Sequence, residues 1–108
     1  MVRNPSEIDE IVGRTIDVAG EFLEIKAVYL FGSYFGGVPH PGSDIDIAIF
    51  ADNVDQMDVD EQIEIASRIA LKVSAEVEIH LFSSLALNDL RPTNFAGYIA
   101  SNGRKVAA

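Results

Sequence analysis

From Asp44 to Phe50 the chain reads DIDIAIF, with Ile45, Ile47 and Ile49 at one parity and Asp44, Asp46, Ala48 and Phe50 at the other. A period of two marks an extended strand, because successive side chains leave opposite faces of a pleated backbone. The isoleucine face must be covered by other elements, while the opposite face carries two carboxylates side by side. Together these demands exclude an all-helical fold and call for a sheet with a covered apolar face and an acid-bearing one.

The flanking segments supply the cover. Residues 6 to 25 place Ile8, Ile11, Val12, Ile16, Ala19, Phe22 and Leu23 at helical spacing, which predicts an amphipathic helix. Asn4 or Ser6 caps it, Pro5 suits its first turn, and Glu7, Asp9 and Glu10 lie where the helix dipole favours negative charge. The run Ala27 to Phe31 is β-branched and aromatic and ends at Gly32, as a buried strand does. From Gly32 to Gly42 there are four glycines and two prolines, so the chain loops there. Residues 51 to 60 form an acidic connection, Glu61 to Val73 return to helical spacing, and Val77 to Phe82 form a third strand. In that strand Val77, Ile79 and Leu81 face one way and Glu78 and His80 the other. Asn94 to Ser101 read as a short helix stopped at Gly103, with Arg104 to Ala107 as an edge strand or a loose end. The order is helix, strand, turn, strand, helix, strand, helix. It predicts an α+β fold: a small mixed sheet with helices packed on its isoleucine face.

Length and charge narrow the function. The 108 residues are expected to form a single domain, 1–108, burying roughly two thirds of the unfolded surface. Without cysteine there is neither a disulfide framework nor a thiolate metal site. The acidic start MVRNPSEIDE does not resemble a signal peptide, and no stretch approaches the roughly 20 apolar residues of a membrane span, so a cytoplasmic location is expected. Seventeen acids against eight Lys and Arg leave a net charge of −9, spread along the chain. Such a field repels polyanions and disfavours direct nucleic-acid binding. It accommodates a nucleotide escorted by a divalent cation, and it attracts a basic protein partner.

The chemistry lies in one spacing: Gly32-Ser33, ten residues, then Asp44-Ile45-Asp46. A glycine directly after a strand lets backbone approach a bulky ligand. Ser33 adds an N–H and a hydroxyl that can donate to phosphate oxygens, and Ser43 either donates likewise or shapes the turn before the strand. Asp44 and Asp46 lie two apart on a strand, about 7 Å between Cα atoms and on the same side. Mg²⁺ relieves their repulsion, since it takes oxygen ligands from one or two carboxylates plus substrate phosphates. Glu78 joins them if the strand 77–82 lies beside the strand 44–50 with its apolar residues on the shared covered face. Three acids then suffice for two metal ions.

These residues resemble the minimal nucleotidyltransferases of the polymerase-β-like superfamily, whose signature is G-S, a spacer, D-x-D and a third acid on a later strand. The matching stretches are LFGSYFGGVPHPGSDIDIAIF, Leu30 to Phe50, and VEIHLF, Val77 to Phe82. The resemblance implies a nucleotidyltransferase fold and an ATP substrate. It implies triphosphate binding by Gly32 and Ser33, metal binding by Asp44 and Asp46 (two Mg²⁺ ions, with Mn²⁺ as a substitute), and Glu78 as the third catalytic acid. Two departures stand out: Gly36 occupies a position where many relatives carry arginine, and the third acid is more often aspartate, with Glu76 competing with Glu78. Small acidic members of the family resemble the antitoxins of toxin–antitoxin pairs with a helical HEPN-type partner. Some of those antitoxins transfer AMP to a tyrosine hydroxyl of the toxin.

Each of these residues also has an ordinary reading. His80 shares the face of Glu78 and reads as structural or a hydrogen-bond donor before a ligand. Tyr34 and Phe35 either stack on a base or pack in the core. Arg91 and Arg104 read as surface charge before substitutes for the missing arginine. Besides transfer of a nucleoside monophosphate to a protein hydroxyl, the same features accommodate a binding antitoxin with a relict nucleotide site. Addition of a nucleotide to RNA or an antibiotic ranks below both, since no basic groove is evident.

Overall fold

Asn4 starts the first helix. In the computed structural model, which describes residues 4–32, 44–91 and 93–107, the Asn4 side chain accepts the Glu7 N–H at 2.9 Å. The Glu7 carboxylate accepts the Asn4 N–H in return. This reciprocal cap satisfies two donors that a helix start otherwise leaves open. The helix, α1 (Pro5–Ala19), buries Ile8, Ile11, Val12, Thr15 and Ala19 along one face, and the Thr15 hydroxyl donates to the Ile11 carbonyl at 2.8 Å. It ends at Ala19, short of the expected residue 25. The N–H groups of Glu21 and Phe22 take carbonyls three residues back, tightening the last turn. The Asn53 side chain then accepts from Glu24 N–H and donates to the Phe22 carbonyl, so a tertiary contact draws the chain out of the helix.

Four strands follow: β1 (Ile25–Phe31), β2 (Ile45–Ala51), β3 (Val77–Ser83) and β4 (Arg104–Ala107), in the order β3-β2-β1-β4. β2 pairs antiparallel with β1 and parallel with β3, and β4 closes the far edge antiparallel to β1. The tail is thus an edge strand, not a loose end. The parallel step needs a crossover. Helix α2 (Val59–Val73) provides it, its N-terminus capped by the Asp58 carboxylate on Glu61 N–H at 2.8 Å. Ladder partners Val28–Ile49, Leu30–Ile47, Ile47–Ile79 and Ile49–Leu81 stack apolar side chains across one face. That face packs against α1 and α2 in the main core. Each fully buried isoleucine there contributes about 1.5–3 kcal/mol of burial energy.

The expectation of helices on the isoleucine face holds for α1 and α2 but not for the third helix. Helix α3 (Phe95–Asn102) sends Ala96 and Ile99 into a second cluster with Ala27, Tyr29, Phe31, Ala48 and Phe50 on the opposite face. Ala48 and Phe50 share the parity of Asp46, so part of the acid-bearing face is itself apolar and needs cover. Gly97 lets the segment just before α3 fold back onto the helix: a Cβ there would overlap the backbone carbonyl of Arg91. Among the described residues, no helix is long and apolar enough to cross a membrane.

Candidate functional site

The parallel pairing of β2 and β3 sets Asp46 directly beside Glu78, and Ala48 beside His80. Since partners in register share a face, both acids and the imidazole project on the side opposite the isoleucines. His80 Nε2 lies 3.2 Å from Asp46 Oδ1 and 3.9 Å from Glu78 Oε1. One ligand atom from each of the three residues falls within 4.8 Å of the others. The Asp46 and His80 side chains are 21% and 23% exposed and Glu78 is 55% exposed, so two groups line the floor and the third stands at the rim. Two carboxylates and an imidazole at this spacing fit a divalent cation by donor chemistry.

Gly32 closes the β1 end of the site. Its φ of 81° lies in the left-handed region, and a Cβ on it would overlap Oδ2 of Asp46. The sequence suggests that this glycine admits a ligand; what presses against it here is the aspartate. Ser33 and Ser43 lie outside the described residues, as do Tyr34, Phe35 and Gly36.

The remaining predicted residues are distributed unevenly. Asp44 is exposed immediately before β2, outside the close group of Asp46, Glu78 and His80. Strand pairing begins one residue later, where Ile45 N–H donates to the Glu76 carbonyl at 2.8 Å. Of the two competing glutamates, Glu78 is the one whose carboxylate belongs to the group. Arg91 is bound to Asp89 through two hydrogen bonds, which raise its pKa further, and Arg104 meets Asp9 on α1 at 3.0 Å. Both arginines are therefore engaged as surface pairs.

Sequence reasoning read His80 as structural or a hydrogen-bond donor, in keeping with its 3.2 Å contact to Asp46 Oδ1, but missed its aromatic surround. The imidazole stands edge-on to Phe31 at 5.1 Å and to Phe95 at 5.9 Å between ring centroids. Phe95 also touches Phe31 and Phe82, and Phe82 stacks on Phe50 at 4.9 Å. The alternation of β3 placed His80 beside Glu78, and that was the available signal. Phe95 comes from a distant helix whose docking no local pattern reveals. Two surface concavities of about 240 and 370 Å³ lie along α1 and include none of the grouped residues.

Residues 14–106 match the family model described as polymerase beta, nucleotidyltransferase. Over 56 residues the chain is 38% identical to the protein adenylyltransferase MntA of Shewanella oneidensis. That stretch covers 52% of this chain and 39% of the relative, so the match spans well under half of the relative's length. Among solved structures, the chain is similar to a toxin–antitoxin crystal structure with AMP-PNP, at 25% identity and a TM-score of 0.62 over 89% of this chain and 72% of that one. It is also similar to a candidate nucleotidyltransferase from Sulfolobus solfataricus, at 23% identity and a TM-score of 0.61 over 76% of this chain and 72% of that one. The toxin–antitoxin structure MntA-HepT aligns at 20% identity and a TM-score of 0.52 over 97% of this chain and 73% of that one.

Proposed function

Since this chain belongs to the polymerase beta nucleotidyltransferase family, we propose that it transfers AMP from ATP to a hydroxyl of a partner protein, as the antitoxin of a pair with a HEPN-type toxin in the cytoplasm. The observation that carries this reading is the register of β2 and β3, which sets Asp46 and Glu78 side by side on the face away from the isoleucine core. The names of similar proteins support the acceptor and partner: one is a protein adenylyltransferase, and another is a toxin–antitoxin structure holding an ATP analogue.

In this reading residues 1–108 act as a single nucleotidyltransferase domain. The Gly32-Ser33 corner and Ser43 receive the triphosphate through backbone N–H and hydroxyl donors. Asp44, Asp46 and Glu78 hold Mg²⁺, two ions in the full site. When bound, Mg²⁺ neutralises phosphate charge and makes the acceptor hydroxyl easier to deprotonate. Glu78, the exposed member of the group, faces an arriving acceptor and takes its proton. The hydroxyl oxygen bonds to the α-phosphorus, the bond to the β-phosphate oxygen breaks, and pyrophosphate leaves. Positioning and charge neutralisation supply the rate, as is general for phosphoryl chemistry.

Incubation with α-labelled ATP and the product of the neighbouring reading frame, over a range of Mg²⁺ and Mn²⁺, tests the reading. Label should pass to the partner and be lost with Asp46→Asn; no transfer at any metal concentration would overturn it. A net charge of −9 and Gly36 in the usual arginine position favour a second reading, neutralisation of a basic toxin by binding alone.

A further inference from the structure

We propose that His80 is a nitrogen ligand of the metal site, and that it tilts the site toward Mn²⁺ over Mg²⁺. The inference rests on the reading above, in which Asp46 and Glu78 hold a divalent cation. It begins with where the imidazole aims. His80 Nε2 is 3.2 Å from Asp46 Oδ1 and 3.9 Å from Glu78 Oε1. The contact to Asp46 is a hydrogen bond at the long end of the ordinary range, and the same nitrogen also lies 3.9 Å from Glu78. The nitrogen points into the space between two acids.

Those separations suit shared coordination. Ligand atoms about 2.1 Å from one ion and at right angles to each other stand about 3.0 Å apart, and those on opposite sides about 4.2 Å. The distances of 3.2 and 3.9 Å fall between these limits. The ring cannot swing away easily, because Phe31 and Phe95 stand edge-on to it at 5.1 and 5.9 Å. Packed rings thus do for His80 what outer-shell hydrogen bonds do for other metal-bound imidazoles, fixing orientation before the ion arrives. With its proton on Nδ1 the neutral ring presents the Nε2 lone pair to the ion. An imidazole in place of one oxygen weakens the match to Mg²⁺, which demands hard ligands, and suits a first-row transition ion.

Pulsed electron paramagnetic resonance on the full chain with Mn²⁺ alone, without nucleotide, tests the assignment. Wild type should show nitrogen modulation that changes when the protein is labelled with ¹⁵N-histidine and disappears with His80→Gln. His40→Gln, which removes the other histidine of the chain, should leave it intact. Calorimetric titration should show the Mn²⁺ to Mg²⁺ affinity ratio falling about tenfold or more in His80→Gln. Isotope labelling in His40→Gln leaves His80 as the one labelled histidine, so that pairing decides the matter even if His80→Gln folds poorly. Mn²⁺ binding that depends on Asp46 but lacks histidine modulation overturns the nitrogen ligand and leaves the proposed function standing. Absence of any divalent-ion binding, with or without ATP, overturns both.

Discussion

Gly32 and Asp46 are fitted to each other: with its φ at 81°, Gly32 leaves a space that its missing Cβ would have to share with Oδ2 of the aspartate. The pair joins the end of β1 to the start of β2, where Phe31 and Asp46 are ladder partners. The carboxylate thus lies between the glycine corner, which leaves room for Oδ2, and His80, which meets Oδ1 at 3.2 Å.

Gly32→Ala should therefore damage the site more than the fold. Strain at positive φ costs about 1–3 kcal/mol, and the added methyl displaces the Asp46 carboxylate. Denaturant titration should register that loss, while calorimetry with ATP and Mg²⁺ should show binding weakened well beyond it. An alanine variant that binds as wild type does would contradict the fit described here.

Asp46→Asn should separate function from stability. Amide nitrogen and oxygen cannot replace a carboxylate toward a cation, and transfer of label should fall about 100-fold or more, as when a group aimed at transition-state charge is removed. The fold should keep its stability or gain up to about 1 kcal/mol, since two like charges abreast on neighbouring strands repel. Co-expression with the proposed toxin partner then divides the two readings: an AMP transferase loses protection with this variant, whereas a stoichiometric inhibitor keeps it.

Gly97→Ala tests the packing of α3 against the segment that leads into it. Its Cβ would overlap the Arg91 carbonyl, a backbone atom that cannot step aside alone. Overpacking of this kind costs about 1–3 kcal/mol. As the segment and the helix move apart, Phe95 at the helix start should shift against His80, changing the imidazole resonances in an NMR spectrum. Unchanged resonances together with unchanged melting would show that α3 does not depend on this contact.

Acid sensitivity should include a contribution from Asp52. A hydrogen bond from Ser84 at 2.5 Å, aided by Lys26 at 3.3 Å, holds its carboxyl below the ordinary value of 3.8. A lowered folded-state pKa means the unfolded chain binds the proton more readily. Asp52 thus supports the fold above about pH 4 and loses that effect as pH falls through its folded value. Ser84→Ala should shrink the difference in urea midpoint between pH 7 and pH 3. An identical difference in both proteins would exclude the contact as a contributor.

Much of this protein follows from side-chain order alone. Strict alternation in DIDIAIF separated the isoleucines from Asp46, and alternation in VEIHLF put His80 with Glu78, because an extended backbone sends neighbours to opposite faces. A cap at Asn4 or Ser6 was legible from residue type ahead of the helical run, and the structure selects Asn4, reciprocated by Glu7. Tertiary structure decided what a period of two leaves open. Sliding β3 by two residues along β2 keeps every face and would bring Glu76 instead of Glu78 beside Asp46. The choice between them follows from the pairing that starts where Ile45 meets the Glu76 carbonyl, after the α2 crossover. The same holds for α3 on the second face and for Phe95 against His80, which depend on surfaces that meet only once the sheet exists.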